Sequence, residues 1–165
     1  MKPVFAHATR SNKQRAVWTL AALGVGLVAT LTVLALGRPV LPRINPNDAD
    51  QVEAGRRLYQ DTCASCHGPS LEGQAAWQRR LPNGRLPAPP HDASGHTWHH
   101  SDEVLFRITK HGPKAYPAGY ETDMPPFADR LTDSEIAAVL AFIKSTWPAD
   151  VRTRQARTDA VSRQR

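Results

Sequence analysis

The chain has 165 residues, a length that favours one globular domain with additional segments. Its two cysteines lie in one local motif, which excludes a disulfide framework and points to a prosthetic group. The net charge of +6 comes from the two ends, because residues 46–147 carry ten basic and thirteen acidic side chains. A nucleic-acid-binding surface would need basic residues clustered on the folded domain, so the charge distribution argues against that class of protein.

The first predicted element is a membrane anchor at residues 17–36, a stretch of twenty uncharged and mostly apolar residues. At 1.5 Å per residue it spans about 30 Å, the thickness of a bilayer's hydrocarbon core. Four basic residues precede it and two follow, namely Lys2, Arg10, Lys13, Arg15, Arg38 and Arg43. The positive-inside rule then places residues 1–16 in the cytoplasm and the rest of the chain on the periplasmic side of the cytoplasmic (inner) membrane, to which a single pass would tether it.

A cleaved signal peptide is the alternative for the same stretch, because small residues at Ala35 and Gly37 resemble a cleavage site. The apolar run exceeds the roughly 7–15 residues of a signal h-region, which favours the uncleaved anchor. Residues 37–46 contain three prolines and are predicted to form a short, stiff linker. Ten residues reach at most about 35 Å, so the following domain would stay near the bilayer surface.

Three helices follow within a predicted domain at 47–148. The first is expected at about 48–62, with Asn47 as its N-cap and Val52, Gly55, Tyr59 and Cys63 on one face. The second should begin after Ser101 and end at Gly112.

The third helix has the clearest start signal. Thr132 and Glu135 form a capping box there, and Leu131 with Ile136 are placed for a hydrophobic staple. Its apolar stripe continues to Trp147, and a proline follows at 148. The tail at 149–165 is basic and lacks an apolar period, so we predict that it is disordered.

The loops between these helices, 68–100 and 113–130, are long and rich in proline and glycine. No segment offers an alternating strand pattern, so we predict an all-α domain. Side chains alone would pack such a domain poorly, whereas a large apolar ligand at its centre would remove that difficulty.

The sequence Cys63-Ala-Ser-Cys66-His67 is the C-x-x-C-H signature of covalent c-type haem attachment. Two cysteines three residues apart lie on one side of a helical turn, so both sulfurs can reach neighbouring vinyl groups of one porphyrin. His67 would then be the proximal iron ligand, oriented by a hydrogen bond from its other ring nitrogen. A backbone carbonyl within residues 86–90 is our candidate acceptor.

Two other readings start from the same cysteines. A zinc site could add His96 and His100, but the pairs are much farther apart than in a zinc finger. A dithiol redox pair would require a βαβ setting, which the sequence does not indicate. One haem c is therefore the predicted cofactor.

Met124 is the candidate for the sixth iron ligand, since it is the only methionine besides the initiator and lies in a proline-rich loop before the third helix. A thioether favours ferrous iron and raises the potential relative to a second imidazole. The competing ligands are histidines, namely His91, His96, His99, His100 and His111.

With these motifs the chain resembles the class I cytochromes c, over roughly residues 47–147. The resemblance is carried by CASCHG, by MPPF before the last helix and by AFIKSTW at its end. It implies an all-α, cytochrome c-like wrap around one covalently bound haem, with the first and last helices crossing beside it. It also implies His/Met ligation by His67 and Met124, and one-electron transfer. Gly55 and Tyr59 match the first helix of the family, and Phe142 or Trp147 would supply the aromatic partner on the last.

The loop at 87–100 departs from the family pattern because His91, His96, His99 and His100 lie within ten residues. They form either a second metal site, with copper the best-suited ion, or a solvated loop in which one or two histidines contact haem propionates. Adjacent residues such as His99 and His100 cannot easily face one site, which favours the second hypothesis.

Together these features predict an electron-transfer protein rather than an enzyme, anchored in the membrane and working with redox partner proteins in or near it. Two alternatives remain from the sequence: the haem c subunit of a larger membrane or periplasmic oxidoreductase complex, and a haem protein with an additional His-rich copper site.

Overall fold

The computed structural model describes residues 41–116 and 121–164, which belong to one compact unit beginning at Leu41. The predicted anchor at 17–36 and the first four residues of the linker, 37–40, lie outside these residues. Within the described part of the chain, no helix has the length and apolar character needed to cross a bilayer.

The described residues form five α-helices and two 3-10 turns. The helices are α1 (Ala49–Thr62), α2 (Ala64–His67), α3 (Asp102–His111), α4 (Asp133–Ser145) and α5 (Ala149–Ser162), and the 3-10 turns are Thr97–His99 and Gly112–Ala115. Over residues 41–116 and 121–164 the β-type pairing amounts to an isolated bridge between Leu86 and Thr122. The all-α prediction is therefore confirmed.

Helix α1 begins one residue later than predicted. Its N-cap is Asp48, whose side chain accepts the Gln51 backbone N–H at 3.1 Å. Asn47 belongs instead to the preceding turn, where its own N–H donates to the Asn45 side chain. Because the backbone of Asn47 is bonded within this turn, Asp48 and not Asn47 is the N-cap of the helix.

Helices α1 and α4 cross in close contact, as the resemblance implies. A Cβ on Gly55 would overlap the Ala138 carbonyl, so only glycine permits this approach. One turn later the ring of Tyr59, which is fully buried, lies 5.4 Å from that of Phe142. Of the two aromatic candidates Phe142 is the partner, while the Trp147 indole N–H donates to the backbone oxygen of His91.

Helix α4 follows the predicted pattern. Both hydrogen bonds of the Thr132–Glu135 capping box form, and Leu131 and Ile136 are buried in the same core cluster. The apolar stripe is buried as well, through Val139, Leu140, Ile143 and Trp147. The helix ends at Ser145, two residues before Trp147.

The prediction of a disordered tail is wrong, because residues Ala149–Ser162 form α5. Val151 joins this helix to the core cluster, and its other buried residues, Gln155 and Asp159, are polar. The Gln155 side chain, 1% exposed, donates to Asp102 Oδ1 at 2.7 Å, and Asp159 Oδ1 accepts the Asp102 backbone N–H at 3.0 Å. A search for apolar periodicity misses a helix that is held in this way.

Candidate functional site

The attachment motif lies where α1 passes into α2. The backbone N–H of Cys63 donates to Tyr59 O at 2.8 Å, and that of His67 donates to Cys63 O at 2.9 Å. The helical course thus continues through the motif and keeps the two sulfurs on one turn. Cys63 is partly buried and Cys66 is exposed, while His67 is 8% exposed.

The imidazole of His67 is oriented by a backbone carbonyl, as predicted for residues 86–90. Its Nδ1 lies 2.9 Å from Pro89 O. A carbonyl only accepts, so Nδ1 carries the proton and Nε2 is left with the lone pair that an iron ligand needs.

Gly73 allows the segment around Pro89 to approach so closely. It has φ +67°, and a Cβ there would overlap the backbone of Pro89 and Pro90. The segment is held in register because Gln74 N–H donates to Ala88 O at 2.9 Å and His91 N–H donates to Leu71 O at 2.8 Å. The acceptor of the His67 hydrogen bond is therefore built from backbone contacts.

Met124 lies on a loop that is fastened to the end of α3. Gly112, with φ +57°, leaves no space for a Cβ beside Pro125 and Pro126, so these prolines pack on the helix terminus. Phe127 N–H then donates to the carbonyls of Thr109 and Lys110, both at 3.2 Å. The Met124 side chain is partly buried against the core, with its Sδ 4.0 Å from the Tyr116 hydroxyl.

One cavity of about 690 Å³ brings the predicted site residues together. Cys63, Cys66, His67 and Met124 all line it, with apolar walls supplied by residues such as Leu105 and Ile143. Its volume lies within the range of about 300–1,000 Å³ found for cofactor and ligand pockets.

The cytochrome c family model matches residues 52–147, more than half of the chain. The chain belongs to the cytochrome c family. Among solved structures it is similar to cytochrome cL from the marine methylotrophic bacterium Methylophaga aminisulfidivorans MPT, with 24% identity, coverage of 74% of this chain and 69% of that one, and a TM-score of 0.47. No curated protein matches the chain.

Cytochromes of this family carry covalently attached haem c, and the cavity of this one suits that group. Cys63 and Cys66 are the only thiols in the sequence and would hold it, next to an imidazole already in the ligating tautomer. A thioether on the same cavity completes a donor set of the kind that haem iron takes. When bound, the group supplies an iron centre that gains or loses one electron, and the apolar walls of the cavity would surround it.

Burial governs the ionisation of the motif. Desolvation lowers the pKa of His67, against the smaller opposing effect of the hydrogen bond to Pro89. The imidazole therefore stays neutral, as a ligand must. Desolvation raises the pKa of the Cys63 thiol, so this cysteine resists forming a thiolate in the folded chain.

The histidines of the 87–100 loop are divided among different neighbours. His96 stacks on Trp77, with ring centroids 5.1 Å apart, and meets His100 edge-on at 5.5 Å. His99 packs against Trp98, with 3.8 Å between the ring centroids. Across residues 41–116 and 121–164 no three histidine, cysteine or acidic side chains are grouped to hold a metal ion. The copper hypothesis therefore finds no preformed site in this part of the chain.

The sequence did not reveal how His91 and Tyr116 relate to His67 and Met124. The His91 ring stacks on that of His67, with centroids 4.0 Å apart and planes inclined by 20°. Tyr116 lies beside the Met124 sulfur. No sequence motif marks either residue. Their contacts depend on how the loops that carry them fold.

Proposed function

We propose that this cytochrome is a one-electron carrier whose haem c has His67 and Met124 as axial ligands. The observation that carries the proposal is the shared cavity, which both side chains line together with Cys63 and Cys66. Met124 is the only methionine among the described residues, and its thioether lines the cavity.

Two filled axial positions suit a carrier, because they leave no open coordination site for a substrate. They also fit the absence of an evident acid, base or nucleophile in the attachment motif. A thioether opposite an imidazole would favour the ferrous state more than two imidazoles would.

The test is the optical spectrum of the oxidised holo-protein. Met–Fe ligation should give a weak charge-transfer band near roughly 695 nm, as expected of haem with a thioether ligand. The band should be absent from Met124→His, and the reduction potential of that variant should fall. A wild-type spectrum without the band would move the assignment to a histidine.

Carbon monoxide provides an independent measurement. A six-coordinate ferrous haem with both ligands in place should bind carbon monoxide slowly or not at all near neutral pH, whereas Met124→Ala should bind it rapidly. Rapid and complete binding by the wild type would contradict the carrier proposal and favour a sensor or an enzyme.

We also propose that residues 17–36 tether this carrier to the cytoplasmic membrane, with the haem domain on the periplasmic side. The support is the length and charge asymmetry of that stretch. Full-length protein should remain in the membrane fraction after a carbonate wash, and external protease should degrade the domain in spheroplasts. Release of the protein with the periplasmic fraction would contradict the anchor.

A further inference from the structure

The ring of His91 has an unusual neighbour, the imidazole proposed to ligate the haem iron. The two rings are nearly parallel, with 4.0 Å between their centroids and 20° between their planes. Because the two ring faces are stacked, the imidazole of His67 cannot rotate freely about its Cβ–Cγ bond.

His91 is itself held from three directions. Its backbone N–H donates to Leu71 O at 2.8 Å, and its backbone oxygen accepts the Trp147 indole N–H at 2.7 Å. Its Nδ1 lies 2.8 Å from the Thr97 hydroxyl. The ring therefore presents a fixed face to His67.

The contacts of the Thr97 hydroxyl indicate which nitrogen of His91 carries the proton. Both contacts of this hydroxyl are satisfied together when it donates its single hydrogen to Pro90 O, 3.3 Å away, and accepts from His91 Nδ1, 2.8 Å away, and we assign the proton of His91 to Nδ1 on that basis. With this assignment His67 and His91 are the same tautomer, protonated on Nδ1. The Nδ1 of His67 donates directly to Pro89 O, and that of His91 donates to the Thr97 hydroxyl, which in turn donates to Pro90 O.

We propose that His91 is a positioning residue for the axial imidazole: its anchored ring fixes the plane of His67 and keeps His67 Nδ1 directed at the Pro89 carbonyl. This inference rests on the proposed role of His67 as iron ligand. The hydrogen bond to Pro89 makes the imidazole a stronger donor to iron, and stronger donation favours the ferric state. Loss of the stack should weaken that bond and raise the reduction potential.

The experiment compares holo-proteins carrying His91→Leu, His91→Phe and Thr97→Val. We expect His91→Leu to shift the low-temperature electron paramagnetic resonance g values, which report the orientation of axial ligands, and to raise the potential. His91→Phe keeps a flat ring and should shift both quantities less. Thr97→Val leaves His91 in place without its hydroxyl partner and should shift them in the same direction as His91→Leu.

The structural control is Val151→Ala on α5, which removes buried apolar contact at a position outside the haem cavity. It should lower the urea midpoint and leave the g values and the potential unchanged. Unchanged g values and potential in both His91→Leu and Thr97→Val would overturn the proposal, even if the urea midpoint fell. Should His91→Leu fail to fold, Thr97→Val decides alone. Failure of the proposed ligation would be seen in the wild-type spectrum, whereas failure of this proposal would be seen only in the variants.

Discussion

At Gly55, one hydrogen atom in place of a side chain sets the distance between two helices. Ordinarily an exposed glycine inside a helix is a weakness, and its replacement by alanine gains about 0.8–1 kcal/mol. Gly55 is buried against the backbone of Ala138, and a methyl group at position 55 would overlap that backbone. Replacement of this glycine by alanine should therefore lower the free energy of unfolding instead of raising it.

We predict that Gly55→Ala destabilises the holo-protein by about 1–3 kcal/mol, the cost of overpacking a close-packed core. Urea unfolding followed by circular dichroism measures this. Ala54→Gly, at the exposed neighbouring position, is the matched control and should cost about 1 kcal/mol through helix propensity alone. A Gly55→Ala variant more stable than the wild type would show that α1 and α4 can accommodate a methyl group at their contact.

Besides His67, three histidines make the stability of the fold depend on pH. Burial lowers the pKa of His96 and His100, with the neighbouring histidines adding to the effect, and lowers that of His91 well below 6.5. A base whose pKa is lower in the folded chain binds fewer protons there than in the unfolded chain, so the free energy of unfolding falls as pH drops below about 6.5.

The thermal midpoint of the holo-protein should accordingly be lower at pH 5.5 than at pH 7.5. Calorimetry at the two pH values tests this, and His96→Gln and His100→Gln should each reduce the difference. The carboxyl groups with lowered pKa, those of Glu53 and Glu135, start from 4.5 and contribute below this window. An equal or higher midpoint at pH 5.5 would be the opposite of the expected sign.

At the scale of elements, the predictable helices are those with apolar stripes and capping signals. Helices α3 and α4 have Ser101 and Thr132 as N-caps, as their sequences indicate, because the hydroxyl of each accepts a backbone N–H of the first turn. Helix α5 escaped prediction because Gln155 and Asp159 hold it through hydrogen bonds that exist only once α3 is in place.

The candidate site was predictable to a similar extent. Cys63, Cys66, His67 and Met124 were found because their chemistry is specific, and they line one cavity in the fold. The contact of His91 with His67 was not, because it depends on the backbone register that Gly73 permits. The path of a loop leaves no periodic pattern in the sequence, so contacts that depend on it could not be predicted.

Asp102 is the meeting point of α3, α4 and α5. Its Oδ1 accepts from Lys144 Nζ at 2.5 Å and from Gln155 Nε2 at 2.7 Å, and its side chain is 9% exposed. A buried carboxylate in this position depends on both partners.

We predict that Lys144→Met costs about 3–5 kcal/mol, since it leaves the Asp102 charge buried without a counter-ion. The double variant Asp102→Asn/Lys144→Met removes both charges and should lose less than Lys144→Met alone. Urea unfolding of the two holo-proteins gives the comparison. If the double variant is the less stable of the two, the network is held by something other than its charges.

For the molecule as a whole, folding α5 onto the domain changes its charge balance. Residues 41–164 carry fifteen basic and fifteen acidic side chains, so the excess of +6 resides in residues 1–40 and at Arg165. The net charge of −3 over residues 46–147 becomes zero once Arg43 and residues 148–164, which include α5, are counted with it. Long-range steering of partners by net charge is correspondingly weak.

The haem cavity sets the stability of the whole fold. Extrapolating about 24 cal/mol per Å³ of cavity to a volume of about 690 Å³ gives a cost of about 17 kcal/mol, which exceeds the 5–15 kcal/mol that stabilises a typical domain. The chain is therefore expected to lose this fold without its cofactor.

Protein carrying Cys63→Ala and Cys66→Ala, prepared without haem, should show a large loss of helical circular dichroism and no cooperative thermal transition. The holo-protein measured in the same buffer is the control. A haem-free chain with native helicity and a sharp transition would mean that the cavity closes by repacking.

The partly buried position of Cys63 has a consequence for biogenesis. In the finished fold its pKa is raised, so little thiolate is available there to react, whereas Cys66 is exposed. Thioether formation at Cys63 is thus disfavoured once α1 and α4 have closed around it. The enzymatic machinery that attaches the haem should act on an extended chain, and the order of events becomes attachment first and helix docking second.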